Sequence, residues 1–401
     1  MTTNDGDERA YLDHAATTVL RPAARDAFLE ASAVRGNPSS VHTSGRRARA
    51  VLDESLARIA ALLDVPRSWV IMTSGGTEAD NLALRAVPQG LREKDPSRTA
   101  VAVAATDHPA VLATARSLTG SAAAGAAGFE VRELEVDRVG ALRPQGIADA
   151  LADGTVALAS AALVNNETGA VQDIAALAAR AREHGTLVHT DAVQGVGHVS
   201  LPSWEDVDLM SLSGHKLGAP VGVGTLVARP EVPFAAVSTG GGPHRGVRSG
   251  TLDAAHAAAF AAALEEALAE RGAQSARLHA LASRLRAGIA TIDPEARFTL
   301  PSDAPQSGHI VHVVFPGADA DSLLFLLDER GVDSSAGSAC SAGVTQASPV
   351  LAAMGVNEEQ ARGTLRLSLG WTSTERDVDL LLAALPEALR RARAVGALMN
   401  G

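Results

Sequence analysis

The chain has 401 residues, 46% of them hydrophobic and 20% charged, so the apolar material suffices for a core that at this length is expected to divide into two lobes. Basic residues number 35 against 46 acidic ones, a formal charge of −11, and they form no long cluster, which argues against direct binding of nucleic acid by a broad surface. No segment reaches the apolar length of a membrane span, the lone cysteine, Cys340, cannot close an internal disulfide, and the polar start from Met1 to Glu8 holds no export core, so the expected location is cytoplasmic.

Ala10 to Thr18 reads as a short extended segment, and Pro22 opens a helix to about Ala33. Gly36-Asn37-Pro38 forces a loop, after which a helix is predicted from Gly45 through Leu63 with Ser44 as its cap. Strands are then predicted at Trp69 to Thr73, Thr99 to Ala105, Thr155 to Val164, Thr186 to Thr190, Val207 to Ser211 and Gly224 to Arg229. Helical patterns lie between several of them, notably one after Gly76 and one from Asp173, a candidate cap, to Glu183. This alternation predicts an α/β fold with a doubly wound parallel sheet, whose ligand sites lie at the carboxyl ends of strands. Beyond Thr251 the texture changes to alanine-rich helices reaching about Ile292, a strand His309 to Phe315, a helix from Asp319, the loop bearing Cys340, a strand Thr364 to Leu369 and a last helix from Thr374. That pattern reads as a smaller α+β lobe. The expected division is a large domain, 15–262, and a small one made of 1–14 and 263–401. Ser121 to Gly128 reads as a small-residue linker.

The candidate chemistry falls just after predicted strands. Lys216, in Ser213-Gly214-His215-Lys216, is delivered by an extended segment into a glycine-flanked turn, where a partly neutral amine can bond a carbonyl carbon. A lysine alone proves little; its company gives it weight. Asp191, closing His189-Thr190-Asp191, can hold a pyridine nitrogen protonated, and Gln194 three residues on can face a phenolic oxygen of the same ring. Thr73 to Asn81 links a strand to a helix, so backbone N–H groups at Gly76 and Thr77 can meet a phosphate, helped by Ser213 and His215; the loop lacks the lysine of a nucleotide P-loop. His108, before Pro109, can stack over a flat ring and exchange protons. Cys340 lies among small residues in Ser338-Ala339-Cys340-Ser341, a setting that favours reactivity over packing. Arg366 interrupts a strand and needs a carboxylate partner, which an amino-acid substrate supplies. His309 and His312 lack partners at ligand spacing and are read as structural, and no metal signature is found.

Taken in order, Tyr11-Leu12-Asp13-His14-Ala15-Ala16-Thr17-Thr18, Gly36-Asn37-Pro38-Ser39-Ser40-Val41-His42, Thr73 to Asn81, Asn165-Asn166-Glu167-Thr168-Gly169, the Asp191 and Lys216 segments, Gly240-Gly241-Gly242, Arg248-Ser249-Gly250-Thr251 and Ser338-Ala339-Cys340 closely resemble the cysteine desulfurases of the class V aminotransferase family. They resemble the NifS/IscS-like subgroup, whose reactive cysteine sits in a longer loop. The resemblance implies a fold-type-I transferase with a mostly parallel seven-stranded sheet, working as a homodimer with pyridoxal 5'-phosphate. It implies Lys216 on the aldehyde, Asp191 on the pyridinium, Gln194 on the phenolic oxygen and His108 over the ring. It further implies phosphate contacts from Gly76, Thr77, Ser213 and His215, with Thr251 arriving from the second subunit, Asn166 beside ring and substrate, and Arg366 on the substrate carboxylate. The implied reaction takes L-cysteine to L-alanine and leaves a persulfide on Cys340. The acceptor protein is then an iron-sulfur scaffold, a tRNA-thiolation enzyme or a sulfur carrier. Asp107 replaces a glutamate common before the stacking histidine, and Pro243-His244 replaces a polar and acidic pair. Rival readings are a selenocysteine lyase or pathway-dedicated supplier with the same cofactor, a plain aminotransferase, and a non-catalytic sulfur-relay scaffold.

Overall fold

Short strands rich in alanine, valine and leucine and buried along their whole length lie within the central sheet, because strands covered on both faces need no polar alternation. The computed structural model describes residues 9–120, 128–241, 246–337, 348–357 and 361–399. In chain order the first part holds β1 (Ala10–Tyr11), α1 (Pro22–Ser32), α2 (Thr43–Leu62), β2 (Val70–Thr73), α3 (Gly76–Lys94), β3 (Ala100–Ala104), α4 (Pro109–Ser117) and β4 (Glu130–Leu134). Then come α5 (Pro144–Leu151), β5 (Val156–Ala162), α6 (Ile174–Glu183), β6 (Leu187–Asp191), β7 (Leu209–Ser213) and β8 (Gly224–Ala228). The last part holds α7 (Ala254–Ile292), β9 (Arg297–Phe298), β10 (Ile310–Val314), α8 (Ala320–Asp328), β11 (Val332–Asp333), α9 (Pro349–Ala353), β12 (Thr364–Ser368) and α10 (Glu375–Met399).

Seven strands form one sheet in the order β2-β8-β7-β6-β5-β3-β4. All neighbours in it are parallel except β8, which runs against both β2 and β7. The carboxyl ends of β2, β3, β6 and β7 therefore open onto one edge, where the candidate residues were expected. Leu52, Ile59, Leu177, Met210 and Phe260 pack in the core on one face of this sheet. Leu82, Val87, Val111, Leu158 and Leu226 fill the other, beneath α3 and α4.

A separate core gathers Leu12, Leu285, Phe315, Leu327, Leu367 and Leu385 around the antiparallel order β12-β10-β9 and the parallel pair β1-β11. Leu12 belongs to this core, so the start of the chain packs with its end. The alanine-rich region beyond Thr251 is one helix of 39 residues, α7, which contributes to the first core as far as Ala267 and to the second from Leu278.

Most predicted elements shift by a residue or two, as element ends do. Asp173 and Asp319 cap α6 and α8, accepting from Ala176 N at 3.0 Å and Ser322 N at 2.8 Å. The start of α2 departs from expectation: Ser44 lies inside the helix, and the cap is His42, whose Nδ1 accepts from Gly45 N at 3.3 Å. Strand β4 carried no prediction because it is an edge strand with Glu130, Arg132 and Glu133 among its five residues, so the apolar period is lost.

Candidate active site

Lys216 ends the 3₁₀ turn, Gly214–Lys216, that follows β7. Its Nζ donates to the carbonyl oxygens of Ala15 at 2.5 Å and Ala16 at 2.6 Å. Gln194 Nε2 donates to the same Ala15 oxygen at 2.9 Å, so the segment after β1 gathers both side chains. Burial is the main cause that brings the Lys216 ammonium down to about 8; nearby Arg366 adds to it, and Asp13 and Asp191 oppose it. An amine so placed is partly neutral near physiological pH, the state a nucleophile or base requires.

Asp191 is the last residue of β6, beside β7, and is buried. Its Oδ1 accepts from Val193 N at 2.8 Å. Burial raises its pKa, with His108 and Lys216 pulling the other way. His108 precedes α4 and caps it, Nδ1 accepting from Ala110 N at 3.1 Å, which leaves Nε2 as its proton-carrying nitrogen. Burial lowers the His108 pKa, while Asp191 raises it and Lys216 lowers it further. His108, Asp191 and Lys216 thus sense one another's charge in one site.

The loop before α3 is shaped for an anion. Gly75 has φ +155°, a conformation closed to most side chains, and a Cβ on Gly76 would lie 2.8 Å from Val193 Cγ2. Ser213 stands beside both glycines, its Cβ 3.5 Å from that same Gly76 position. The first N–H groups of α3, at Gly76 and Thr77, have no acceptor within the helix. His215 Nδ1 lies 3.2 Å from Thr17 Oγ1, and its pKa falls to about 4, mainly through burial. Arg248 Nε donates to Glu78 Oε1 at 2.6 Å, fastening the connection that carries Thr251 to the first turn of α3. Thr251 itself is exposed.

Arg366, buried in β12, donates to Asp13 Oδ1 at 2.7 Å and to the carbonyl oxygen of Asn166 at 3.1 Å, and its Nε has no hydrogen-bond partner among the described residues. A buried guanidinium N–H without an acceptor fits an incoming carboxylate. Cys340 lies outside the described residues, as do Pro243 and His244. The described residues on either side of the Cys340 segment are attached here: Ser335 and Arg366 exchange backbone hydrogen bonds of 3.2 and 2.6 Å, and Ser348 Oγ donates to Glu167 Oε2 at 2.5 Å.

Taken together, a recessed amine, a buried carboxylate, a helix-capping imidazole and a glycine-shaped helix start match the groups needed by pyridoxal phosphate. Asp107 ties β3 to β5, accepting from Ala104 N at 3.2 Å and Ala162 N at 2.7 Å. His309, read from sequence as structural, stacks on His198 with centroids 3.6 Å apart and approaches Gln194 Oε1 at 3.5 Å, so it borders the site. Sequence reasoning also passed over Asp80 and His189, which lie beneath Asp191. The available signal was the strand period, since His189 precedes Asp191 by two residues and shares its face.

The family model described as Aminotransferase class-V matches residues 10–381. The chain is 41% identical over 386 residues to the "IscS-like cysteine desulfurase" of Mycobacterium tuberculosis, covering 96% of this chain and 97% of that protein. It is 36% identical over 391 residues to "Cysteine desulfurase IscS" of Salmonella typhi, covering 96% and 93%. Among solved structures it superposes on a "NIFS-LIKE PROTEIN" with a TM-score of 0.85 at 29% identity, covering 96% of this chain and all of that one.

Proposed function

The chain belongs to the class-V aminotransferase family, and from that premise we propose that it is a pyridoxal-phosphate-dependent cysteine desulfurase, converting L-cysteine to L-alanine and passing the sulfur onward through an enzyme persulfide. The observation that carries the reading is the joining of Lys216 and Gln194 at one carbonyl, Ala15 O, with Asp191 and His108 acting on the same amine.

Pyridoxal phosphate, when bound, supplies an electron-withdrawing pyridine ring that acidifies the α-carbon of an attached amino acid. Gly76, Thr77, Ser213 and His215 hold the phosphate, Asp191 the ring nitrogen, Gln194 the phenolic oxygen, and His108 and Asn166 the ring itself. Arg366 orients the substrate carboxylate with an N–H that has no acceptor among the described residues, beside the pair it keeps with Asp13. Lys216 Nζ, recessed and partly neutral, accepts the substrate's α-proton. His108, with Nδ1 engaged by Ala110 N, moves protons at Nε2. Cys340 attacks the substrate sulfur as thiolate, forming its S–S bond as the substrate's C–S bond breaks. The anchorage of Ser335 to Arg366 and of Ser348 to Glu167 supports a Cys340 segment that begins and ends beside the substrate clamp.

The same reading includes a homodimer in which Thr251 serves the partner's phosphate, and a cytoplasmic setting with an acceptor protein: an iron-sulfur scaffold, a tRNA-thiolation enzyme or a sulfur carrier. No described helix is long and apolar enough to cross a membrane. The domain division at 15–262 and 1–14 with 263–401 belongs to it too, supported by two cores that α7 joins.

Incubation with ³⁵S-cysteine followed by mass spectrometry of the Cys340 peptide is the direct test. A persulfide at Cys340 and stoichiometric alanine are expected. Cys340→Ser should retain the bound cofactor's absorbance and lose the persulfide; alanine formation by that variant at the parent rate without added reductant would show that another group takes the sulfur.

A further inference from the structure

Beneath Asp191 lies a chain of buried polar side chains that the reaction as described does not use. Ser160 Oγ on β5 is 2.8 Å from His189 Nδ1, and His189 Nε2 on β6 is 2.9 Å from Ser211 Oγ on β7. Ser211 in turn bonds Asp80, which projects from the second turn of α3. Asp80 is 1% exposed and His189 is wholly buried. Asp80 Oδ1 lies 3.7 Å from His189 Nε2 and has no hydrogen-bond partner among the described residues.

Three carboxyl groups therefore share this floor, and their surroundings differ. Asp107, from the loop after β3, receives two backbone N–H groups. Asp191 receives Val193 N and feels His108 and Lys216. Asp80 is hydrogen-bonded to the Ser211 hydroxyl, and the charges that bear on it are those of Asp191 and Asp107, both of its own sign. An ionised carboxylate buried without a cation is strongly disfavoured; the group holds its proton instead.

We propose that Asp80 is an un-ionised acid at neutral pH, its proton stored at the end of the Ser160–His189–Ser211 chain, and that it acts through Asp191 as a positioning residue. With Asp80 neutral, Asp191 is the carboxylate left to carry negative charge toward a cofactor nitrogen. The chain accommodates this state with every step paired: the Asp80 O–H faces Ser211, the Ser211 O–H faces His189 Nε2, and His189 Nδ1–H faces Ser160. Burial raises Asp80 well above the usual carboxylate range and holds His189 down to about 3, which agrees with a neutral pair. The inference rests on the pyridoxal-phosphate reading for its purpose, but the state of Asp80 can be measured separately.

The test is the infrared difference spectrum of the full-length chain minus Asp80→Asn at neutral pH, with and without pyridoxal phosphate. The expected result is a C=O stretch of an un-ionised carboxyl, shifted by deuterium oxide and lost in the variant. Loss of carboxylate stretches instead would overturn the proposal. Because the amide mimics the neutral acid in size and charge, the variant should also bind the cofactor within about threefold of the parent and keep its absorbance titration. Nitrogen-15 spectra of histidine, with His189 assigned through His189→Gln, give a second decision: an imidazolium at residue 189 at neutral pH refutes the scheme. If the parent chain failed to take up pyridoxal phosphate, the functional reading would fall while the infrared result still decided Asp80.

Discussion

The recessed state of Lys216 makes a quantitative prediction that does not depend on turnover. Folding brings this amine from its ordinary 10.5 down to about 8, chiefly by burial. At about 1.4 kcal/mol per pH unit, the difference is on the order of 3 kcal/mol. The sign follows from proton binding: below about pH 8 the unfolded chain holds the Lys216 proton more tightly, so the fold bears the full penalty. The penalty shrinks as pH rises through 8 and is gone above 10.5. Lys216→Met removes the titration but also the hydrogen bonds to Ala15 and Ala16, a loss of roughly 1 to 3 kcal/mol that does not vary with pH. The diagnostic quantity is therefore the change with pH in the stability gap between parent and variant. Urea denaturation of the cofactor-free proteins at neutral pH and near pH 10.5 should show the parent gaining about 3 kcal/mol relative to Lys216→Met. Background is low, because Lys94 is the only other lysine and Tyr11 the only tyrosine, and both are common to the two proteins. Stability curves that stay parallel across this range would refute the recessed amine.

Two further substitutions probe the site's walls. Gly76→Ala places a methyl group 2.8 Å from Val193 Cγ2, so it should cost about 1 to 3 kcal/mol of stability and weaken pyridoxal-phosphate binding measured by absorbance titration; an unchanged affinity would place the phosphate elsewhere. Arg366→Lys can keep the contact to Asp13 or that to the Asn166 carbonyl but lacks the planar fork, and KM for cysteine should rise roughly 10- to 100-fold with a smaller change in kcat. A fall in kcat at constant KM would instead assign Arg366 to the chemical step.

The sequence itself determined the elements and their order, because apolar runs, glycine turns and caps such as Asp173 and Asp319 are local signals. It also singled out Asp191 and Lys216, each at the end of a run readable as a strand. The polar edge strand β4 and the imidazole cap of α2 escaped it, since in both the deciding feature is a neighbour and not a period. Tertiary structure alone decided that Arg366 meets Asp13 across 353 positions of sequence, and that Ala15 offers one oxygen to both Gln194 and Lys216. It likewise decided that Asp80 lies against a histidine chain behind Asp191. Such pairings join segments distant in sequence, and their energies depend on burial, which no single segment carries in its own residues.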